Sequence, residues 1–276
     1  MGKKQQAIAS EISHYLETGD HDMLHTAWSG KNTMDRLNRG HNGLLEALVA
    51  EVRRRVGTPE VPARARGLDL LELTRQKVEP MVRGLFPRAE QDAVLTLVAR
   101  SVVFVTPDNI ESLLLESTWL HAAWTTANLY LASVGAELLG KDARDILGYS
   151  EETTCFVSLD YFRHDDPCAD FVVHEVAHIF HNCKRQTAGL KQTRTREWLL
   201  DIDYRKRETF AYACEGYSRI LARARNTAER RALAMQFRGF DVADDRVNAE
   251  QTATLVRQAC DHRNGWKHIL ACCAPP

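Results

Sequence analysis

Apolar side chains recur every three or four positions along most of the chain, which is the spacing typical of amphipathic helices. In residues 3–17, for example, Ile8, Ile12 and Tyr15 share one broad face with their apolar neighbours. Further helices are predicted, in chain order, over Leu44 to Val56, residues 68–83 and 88–99, Ile110 to Leu139, about Arg205 to Arg225, and much of the remainder to Leu270. The chain is therefore predicted to be mostly helical.

Two segments have the pattern of β-strands instead. Residues 101–106 are rich in β-branched side chains and stop at Pro107, and residues 153–162 form a second such run. Because these short runs lie among many helices, we predict the α+β class, mostly helical with a small sheet. Residues 58–62, with two prolines, are the best candidate for a linker.

One predicted helix, over residues 165–181, carries polar groups on an otherwise apolar surface. Asp165 or Asp166 is predicted to cap its first turn, and Pro167 suits the first helical position. Apolar residues occupy nearly all the remaining surface of this helix, so we expect the helix to be buried. Two histidines and a glutamate inside such a helix require pairing or a metal, because burying polar groups alone is unfavourable.

The spacing of these polar residues points to a metal site. His174 and His178 lie four residues apart, one helical turn, so both rings project from the same face and can hold one zinc ion. Glu175 is rotated by roughly 100° from His174. It is therefore placed to reach a water on the metal rather than to bind the ion.

The segment His174-Glu175-Val176-Ala177-His178 resembles the H-E-x-x-H motif of the zincin metallopeptidases. The resemblance implies a zincin-like core with a small sheet, a Zn²⁺ cofactor, and Glu175 as general base. The metzincin subgroup is excluded, because His181 stands where its glycine belongs and Lys184 where its last histidine belongs. The gluzincin subgroup takes its third ligand from a glutamate on a later helix.

Three downstream glutamates are candidates for that third ligand. Glu197 has the separation from His178 that aminopeptidase N-like gluzincins use, but its neighbours differ from theirs. Residues 207–215 resemble the N-E-G-F-A-x-Y-x-E segment of that family at Glu208, at Phe-Ala and at Glu215, although the Asn and the Gly are missing. The resemblance therefore implies Glu208, with Glu197 and Glu215 as alternatives.

The composition limits the classes of partner and the cellular compartment that we expect. A formal net charge of −1 argues against nucleic acid, which is bound by a surplus of Lys and Arg. Seven scattered cysteines without a C-x-x-C pair fit free thiols in a reducing cytoplasm. Neither an apolar signal core nor a run of membrane-spanning length is present, so secretion and a membrane partner are not expected.

Together these features predict a cytoplasmic zinc-dependent hydrolase that acts on peptides or proteins. Residues 1–100 form the predicted helical N-terminal region and residues 101–276 the zincin-like catalytic domain. The strand over residues 153–162 is the candidate sheet edge for pairing with an extended peptide. The candidate donors to the developing oxyanion are Tyr161, His164, Tyr204, Tyr212 and Tyr217.

Two other functions use the same three side chains. Two histidines and one carboxylate also form the facial triad of non-haem Fe(II) oxygenases and related peptide-modifying enzymes. A regulatory module with purely structural zinc is the other alternative, although a site with three protein ligands is open rather than closed. Glu175 favours hydrolysis, because an oxygenase needs no base at that position.

Overall fold

The computed structural model describes residues 2–59, 61–141, 143, 146–151, 153–163, 168–194, 196–240 and 247–275. Within these residues the chain is mostly helical with one small sheet, which confirms the predicted α+β class. The helices are α1 (Lys3–Thr18), α2 (Thr33–Arg55), α3 (Leu70–Leu85), α4 (Arg88–Ser101), α5 (Ile110–Leu115), α6 (Leu120–Ser133), α7 (Phe171–Asn182), α8 (Arg207–Arg223), α9 (Thr227–Gln236), α10 (Ala249–Asp261) and α11 (Gly265–Cys273). The strands are β1 (Val102–Val105), β2 (Gly148–Glu151) and β3 (Thr154–Ser158).

Internal contacts divide the chain into two compact units. The first consists of Met1–Arg66, Phe104–Leu147 and Ser158–Arg163, and the second of Gly67–Val103, Gly148–Val157 and His164–Pro276. Residues 67–100, which the sequence groups with the N-terminal region, belong by their contacts to the second unit. All residues of the predicted metal site also lie in the second unit.

In the first unit, α1 follows the predicted bounds, whereas α2 begins well before its predicted start at Leu44. Asn32 caps α2 by accepting a hydrogen bond of 2.9 Å from the amide of Asp35. Gly40 lies inside this helix, where the ring of His25 packs against it. A Cβ at this position would lie 2.3 Å from that ring, so a larger residue would not fit. A polar segment with glycines usually indicates a loop, and it therefore placed the predicted start of α2 too late. Here the glycine leaves space for the His25 ring and does not break the helix.

The long apolar helix predicted over Ile110 to Leu139 is two shorter helices. A turn between α5 and α6 is held by the hydroxyl of Ser117, which donates to the carbonyl of Trp119 at 2.9 Å. After α6, Gly135 takes a left-handed φ of 68°, a conformation that ends many helices. The apolar run continues through both interruptions, so its pattern alone does not reveal them.

In the second unit, α7 is surrounded by other elements. It packs against α3, α4, α8 and β2, while α10 and α11 pack against α8. Apart from Phe171 at its start, the apolar side chains of α7 are fully buried, namely Val172, Val173, Val176, Ala177, Ile179 and Phe180. This burial agrees with the apolar character of the segment. The predicted cap at Asp165 or Asp166 and the predicted start at Pro167 lie outside the described residues, and α7 begins at Phe171.

The sheet has the strand order β1-β3-β2, and β2 pairs antiparallel with β3. The predicted strand over residues 153–162 is shorter, because Leu159–Phe162 form a 3₁₀ helix. That strand, β3, is in the middle of the sheet, so the expectation that it forms the edge for a peptide is wrong. β2, which the sequence did not reveal, is an edge strand and lies against α7.

No helix in the described ranges combines the length and the apolar character needed to cross a bilayer.

Candidate metal centre

The two histidines of α7 converge as their spacing predicts. The Nε2 atoms of His174 and His178 lie 3.1 Å apart. The neighbouring helix α8 brings Glu208 to the same point, with its Oε2 atom 3.4 Å from Nε2 of His178 and 3.8 Å from Nε2 of His174. In the described part of the chain, these three residues are the one group of histidine, cysteine and carboxylate side chains whose ligand atoms converge in this way.

These distances fit a single ion. Zinc binds nitrogen and oxygen ligands at about 2.0–2.2 Å in tetrahedral geometry, which separates neighbouring ligand atoms by about 3.3 Å. The observed separations of 3.1, 3.4 and 3.8 Å bracket that value. Three protein ligands leave a fourth position open, which is typical of a catalytic rather than a structural zinc site.

A buried carboxylate fixes the orientation of the His174 ring. Its Nδ1 atom lies 3.1 Å from Oε2 of Glu215, and the other oxygen of Glu215 accepts the amide of Asp170 at 2.6 Å. A carboxylate only accepts hydrogen bonds, so Nδ1 carries a proton, and Nε2 is the nitrogen of His174 that is left to bind a metal ion. This carboxylate–histidine arrangement is common behind metal ligands.

The charges around His174 favour a cation at the site. Burial lowers the pKa of His174, but the hydrogen bond to Glu215 and the charges of Glu215, Glu175 and Glu208 outweigh it, so the net pKa shift is upward. The negative charge that stabilises a protonated ring also attracts a metal ion to the neighbouring Nε2 atom.

The third histidine of α7, His181, plays the corresponding role for His178. Burial, with help from the charges of His178 and Arg207, lowers the pKa of His181 to about 3, so this ring is neutral. Its Nδ1 atom donates to Oδ1 of Asn182 at 3.0 Å, which leaves its Nε2 atom to accept the Nδ1 proton of His178 at 3.0 Å. With Nδ1 of His178 engaged in this hydrogen bond, Nε2 is the nitrogen of His178 that is left to bind a metal ion.

These two hydrogen-bond chains occupy the Nδ1 atoms and leave the two Nε2 atoms facing each other across 3.1 Å. That contact is repulsive unless a cation, either a proton or a metal ion, lies between the rings. With Glu208 beside both nitrogens, a metal ion satisfies all three ligands at once.

Glu175 is buried and is not one of the three converging residues. Its Oε2 atom accepts a hydrogen bond of 2.5 Å from the hydroxyl of Ser150 on β2. The sulfur of Cys155 lies 3.5 Å from the same hydroxyl, since Ser150 and Cys155 are direct partners across the β2–β3 pair. Sequence reasoning missed both residues, because a serine and a cysteine in a short polar hairpin belong to no recognisable motif.

The other candidate ligands take different positions. Glu197 forms an ion pair with Lys184 at 2.7 Å, and its side chain is 44% exposed. Glu215 binds the far nitrogen of His174 and not the convergence point. The structure thus places Glu208 beside the two histidines, and Glu215 one layer behind them.

Among the candidate oxyanion donors, Tyr212 lies at the site. It follows Glu208 by one turn of α8, and its ring centroid is 4.4 Å from that of His174. The remaining described candidates lie elsewhere: Tyr217 packs on Trp266, Tyr204 is largely exposed, and Tyr161 packs on Phe104. His164 lies outside the described residues.

In comparisons with known protein families, with curated proteins and with solved structures, the chain matched none.

Proposed function

We propose that this protein is a zinc-dependent metallopeptidase of the gluzincin-like zincin type. The observation that carries the proposal is the convergence of His174, His178 and Glu208 on one point, with Glu175 next to the first ligand. The donor set of two neutral imidazoles and one carboxylate suits Zn²⁺. The buried position of Glu175 and its place in the H-E-x-x-H segment support a role as catalytic base.

Each residue of the proposed site has its own role in peptide hydrolysis. Zinc bound there would supply Lewis acidity, which polarises the scissile carbonyl and makes water more acidic. Glu175 takes a proton from the attacking water and later delivers it to the leaving amine. Glu215 and His181 keep the ring protons on the far sides of His174 and His178. Tyr212 is the proposed donor to the developing oxyanion.

A peptide or protein substrate in the cytoplasm completes the proposal. β2 lies at an edge of the sheet and against α7, so an extended peptide paired with β2 would pass close to Glu175. The seven cysteines are scattered without a C-x-x-C pair, which supports a reducing compartment. The net charge of −1 gives no support to a nucleic-acid partner.

Metal analysis and peptide hydrolysis test the proposal together. Protein purified without added metal should contain one zinc per chain by elemental analysis. It should cleave members of a pool of internally quenched peptides, lose this activity to a chelator, and regain it with zinc. His174→Ala should abolish both zinc binding and cleavage. Stoichiometric iron would favour the non-haem oxygenase, and zinc without any peptide cleavage would contradict the peptidase.

A further inference from the structure

The catalytic base of the proposed reaction is held by a strand that the sequence did not reveal. β2 packs against α7, and Ser150 on β2 hydrogen-bonds the buried carboxylate of Glu175. Gly148, two residues earlier on the same face of the strand, is close as well, since a Cβ there would lie 3.7 Å from Cγ of Glu175. The hairpin of β2 and β3 therefore lies directly against the Glu175 side chain.

The distance identifies a strong hydrogen bond. An O–H group that donates to an ionised carboxylate typically does so at about 2.5–2.7 Å, shorter than a bond between neutral groups. The Ser150 hydroxyl lies at 2.5 Å from Oε2 of Glu175. A serine has one proton to donate, so this bond uses it.

The neighbouring thiol of Cys155 contacts the same hydroxyl. Burial raises the pKa of the Cys155 thiol well above its usual value, so the thiol keeps its proton. At 3.5 Å it is placed to donate to the oxygen of Ser150. The chain of donors then runs from Cys155 through Ser150 to Glu175, and it ends at the carboxylate.

We propose that Ser150 is a positioning residue that fixes the carboxylate of Glu175 for proton transfer, an inference that rests on the proposed peptidase function. With Oε2 held by the hydroxyl, the Glu175 side chain cannot rotate freely, and its Oε1 atom remains to accept a proton from water. A fixed base favours catalysis because the carboxylate is already oriented before the substrate binds. The hydroxyl acts on the rate of the reaction and makes no contact with the metal ligands.

Steady-state kinetics of three serine variants test this role. The probe is one internally quenched peptide chosen from the pool that the wild type cleaves, and rates are expressed per bound zinc so that unfolded protein does not count. Ser150→Ala should lower kcat by about 10- to 100-fold, the range typical of residues that orient an active group. KM should stay within about twofold and zinc content should not change, because neither substrate binding nor metal binding involves the hydroxyl.

Two matched variants separate positioning from a loss of stability. Ser150→Thr keeps the hydroxyl and should recover most of kcat. Ser101→Ala removes a buried hydroxyl of the same unit, one that donates to the carbonyl of Leu97 at 3.0 Å, and it should leave kcat unchanged. In a Glu175→Gln background, Ser150→Ala should have no further effect, because the hydroxyl acts through the carboxylate.

The outcomes distinguish this inference from the function on which it rests. If the wild type shows no zinc-dependent cleavage, the peptidase function and the role of Ser150 are both overturned. If the wild type is active and Ser150→Ala retains full kcat, only the positioning role is overturned. An equal loss of kcat in the Glu175→Gln background would also overturn it, since Ser150 would then act independently of the base.

Discussion

The rings of His174 and His178 are held by partners of different charge. A buried carboxylate, Glu215, binds His174, whereas the neutral ring of His181 binds His178. The carboxylate makes the His174 nitrogen a stronger donor to a metal ion, because negative charge behind an imidazole raises its basicity. Glu215 should therefore contribute more to metal affinity than His181 does.

Glu215→Ala should weaken zinc binding by about 10- to 100-fold, and His181→Ala should weaken it less. Glu215→Ala should also lower the free energy of unfolding by about 1–3 kcal/mol, because the Asp170 amide loses its buried acceptor. Competition titration against a chelator ranks the two affinities. If His181→Ala binds zinc more weakly than Glu215→Ala does, the charge of the residue behind each histidine does not determine the zinc affinity.

Glu208→Ala should lose more zinc affinity than the roughly 10- to 100-fold expected for an outer partner, since it removes a ligand. Glu197→Ala is the matched control and should bind zinc as the wild type does, because Glu197 is paired with Lys184 near solvent. The same chelator titration measures both variants. Weaker binding by Glu197→Ala than by Glu208→Ala would show that the spacing of the aminopeptidase N-like family is the better guide.

Glu175→Gln should lower the rate of peptide cleavage by about 100- to 10,000-fold, the usual contribution of a general base. Zinc content should be unchanged, because the carboxylate is bound to Ser150 and lies outside the ligand triangle. Cleavage of quenched peptides and elemental analysis on the same sample provide both values. Undiminished turnover would remove Glu175 from the mechanism, whereas loss of zinc would make it a ligand.

Sequence distance explains which site residues could be predicted. His174, Glu175 and His178 share one helical turn, so their relative positions follow from helix geometry alone. The prediction of Glu208 depended on the similarity of its neighbours to a segment of a known family. Ser150 reaches Glu175 through tertiary packing of an unremarkable strand, and its sequence carries no local sign of that contact.

At the scale of elements, the site depends on the close approach of α7 and α8. His174 lies beside Glu215 and Tyr212, and His178 lies beside Glu208, so the two helices run antiparallel. Glu208, Ala211 and Glu215 follow the spacing of one helical face. Ala211, the small residue between Glu208 and Glu215 on this face, is fully buried.

Ala211→Leu should separate the two helices and weaken zinc binding as well as destabilise the fold. Ala213→Leu is the matched control, because Ala213 is equally buried but is turned by roughly 200° from Ala211 on the same helix. Both substitutions should cost about 1–3 kcal/mol of stability through overpacking. Only Ala211→Leu should lower zinc affinity per folded molecule, and an equal loss in both variants would contradict this packing.

The predicted bounds of helices and strands were wrong where a turn or a tertiary contact, and not the local sequence pattern, determines the structure. The apolar run of residues 110–139 continues across the turn between α5 and α6, so periodicity could not locate that turn. β2 contains one large apolar residue, Tyr149, and became a strand through its pairing with β3. Helix α7, by contrast, is strongly apolar, so its existence and its burial followed from the sequence.

At the scale of the whole molecule, the proposed site lies entirely in the second compact unit. This unit is assembled from three separate stretches of the chain, and the site draws on the last two of them. Ser150 comes from the middle stretch, and the histidines with Glu208 come from the third. A ligand that joins α7 to α8 connects two helices of the third stretch, and it should stabilise the folded unit.

Zinc should therefore raise the unfolding temperature. A ligand that binds only the folded state at 1,000 times its dissociation constant stabilises it by about 4.1 kcal/mol. For a folding unit of 150–250 residues, each kcal/mol corresponds to about 2–4 °C, so a chelator should lower Tm by about 8–16 °C. Differential scanning calorimetry with and without chelator measures the shift.

His174→Ala is the control that connects this shift to the proposed site. The variant lacks one ligand, so its Tm should be low and should not respond to the chelator. A response equal to that of the wild type would mean that zinc stabilises the protein elsewhere, for example at the exposed thiol of Cys272. No response in the wild type would show that the two histidines and Glu208 converge without binding zinc, since a bound ion must stabilise the state that binds it.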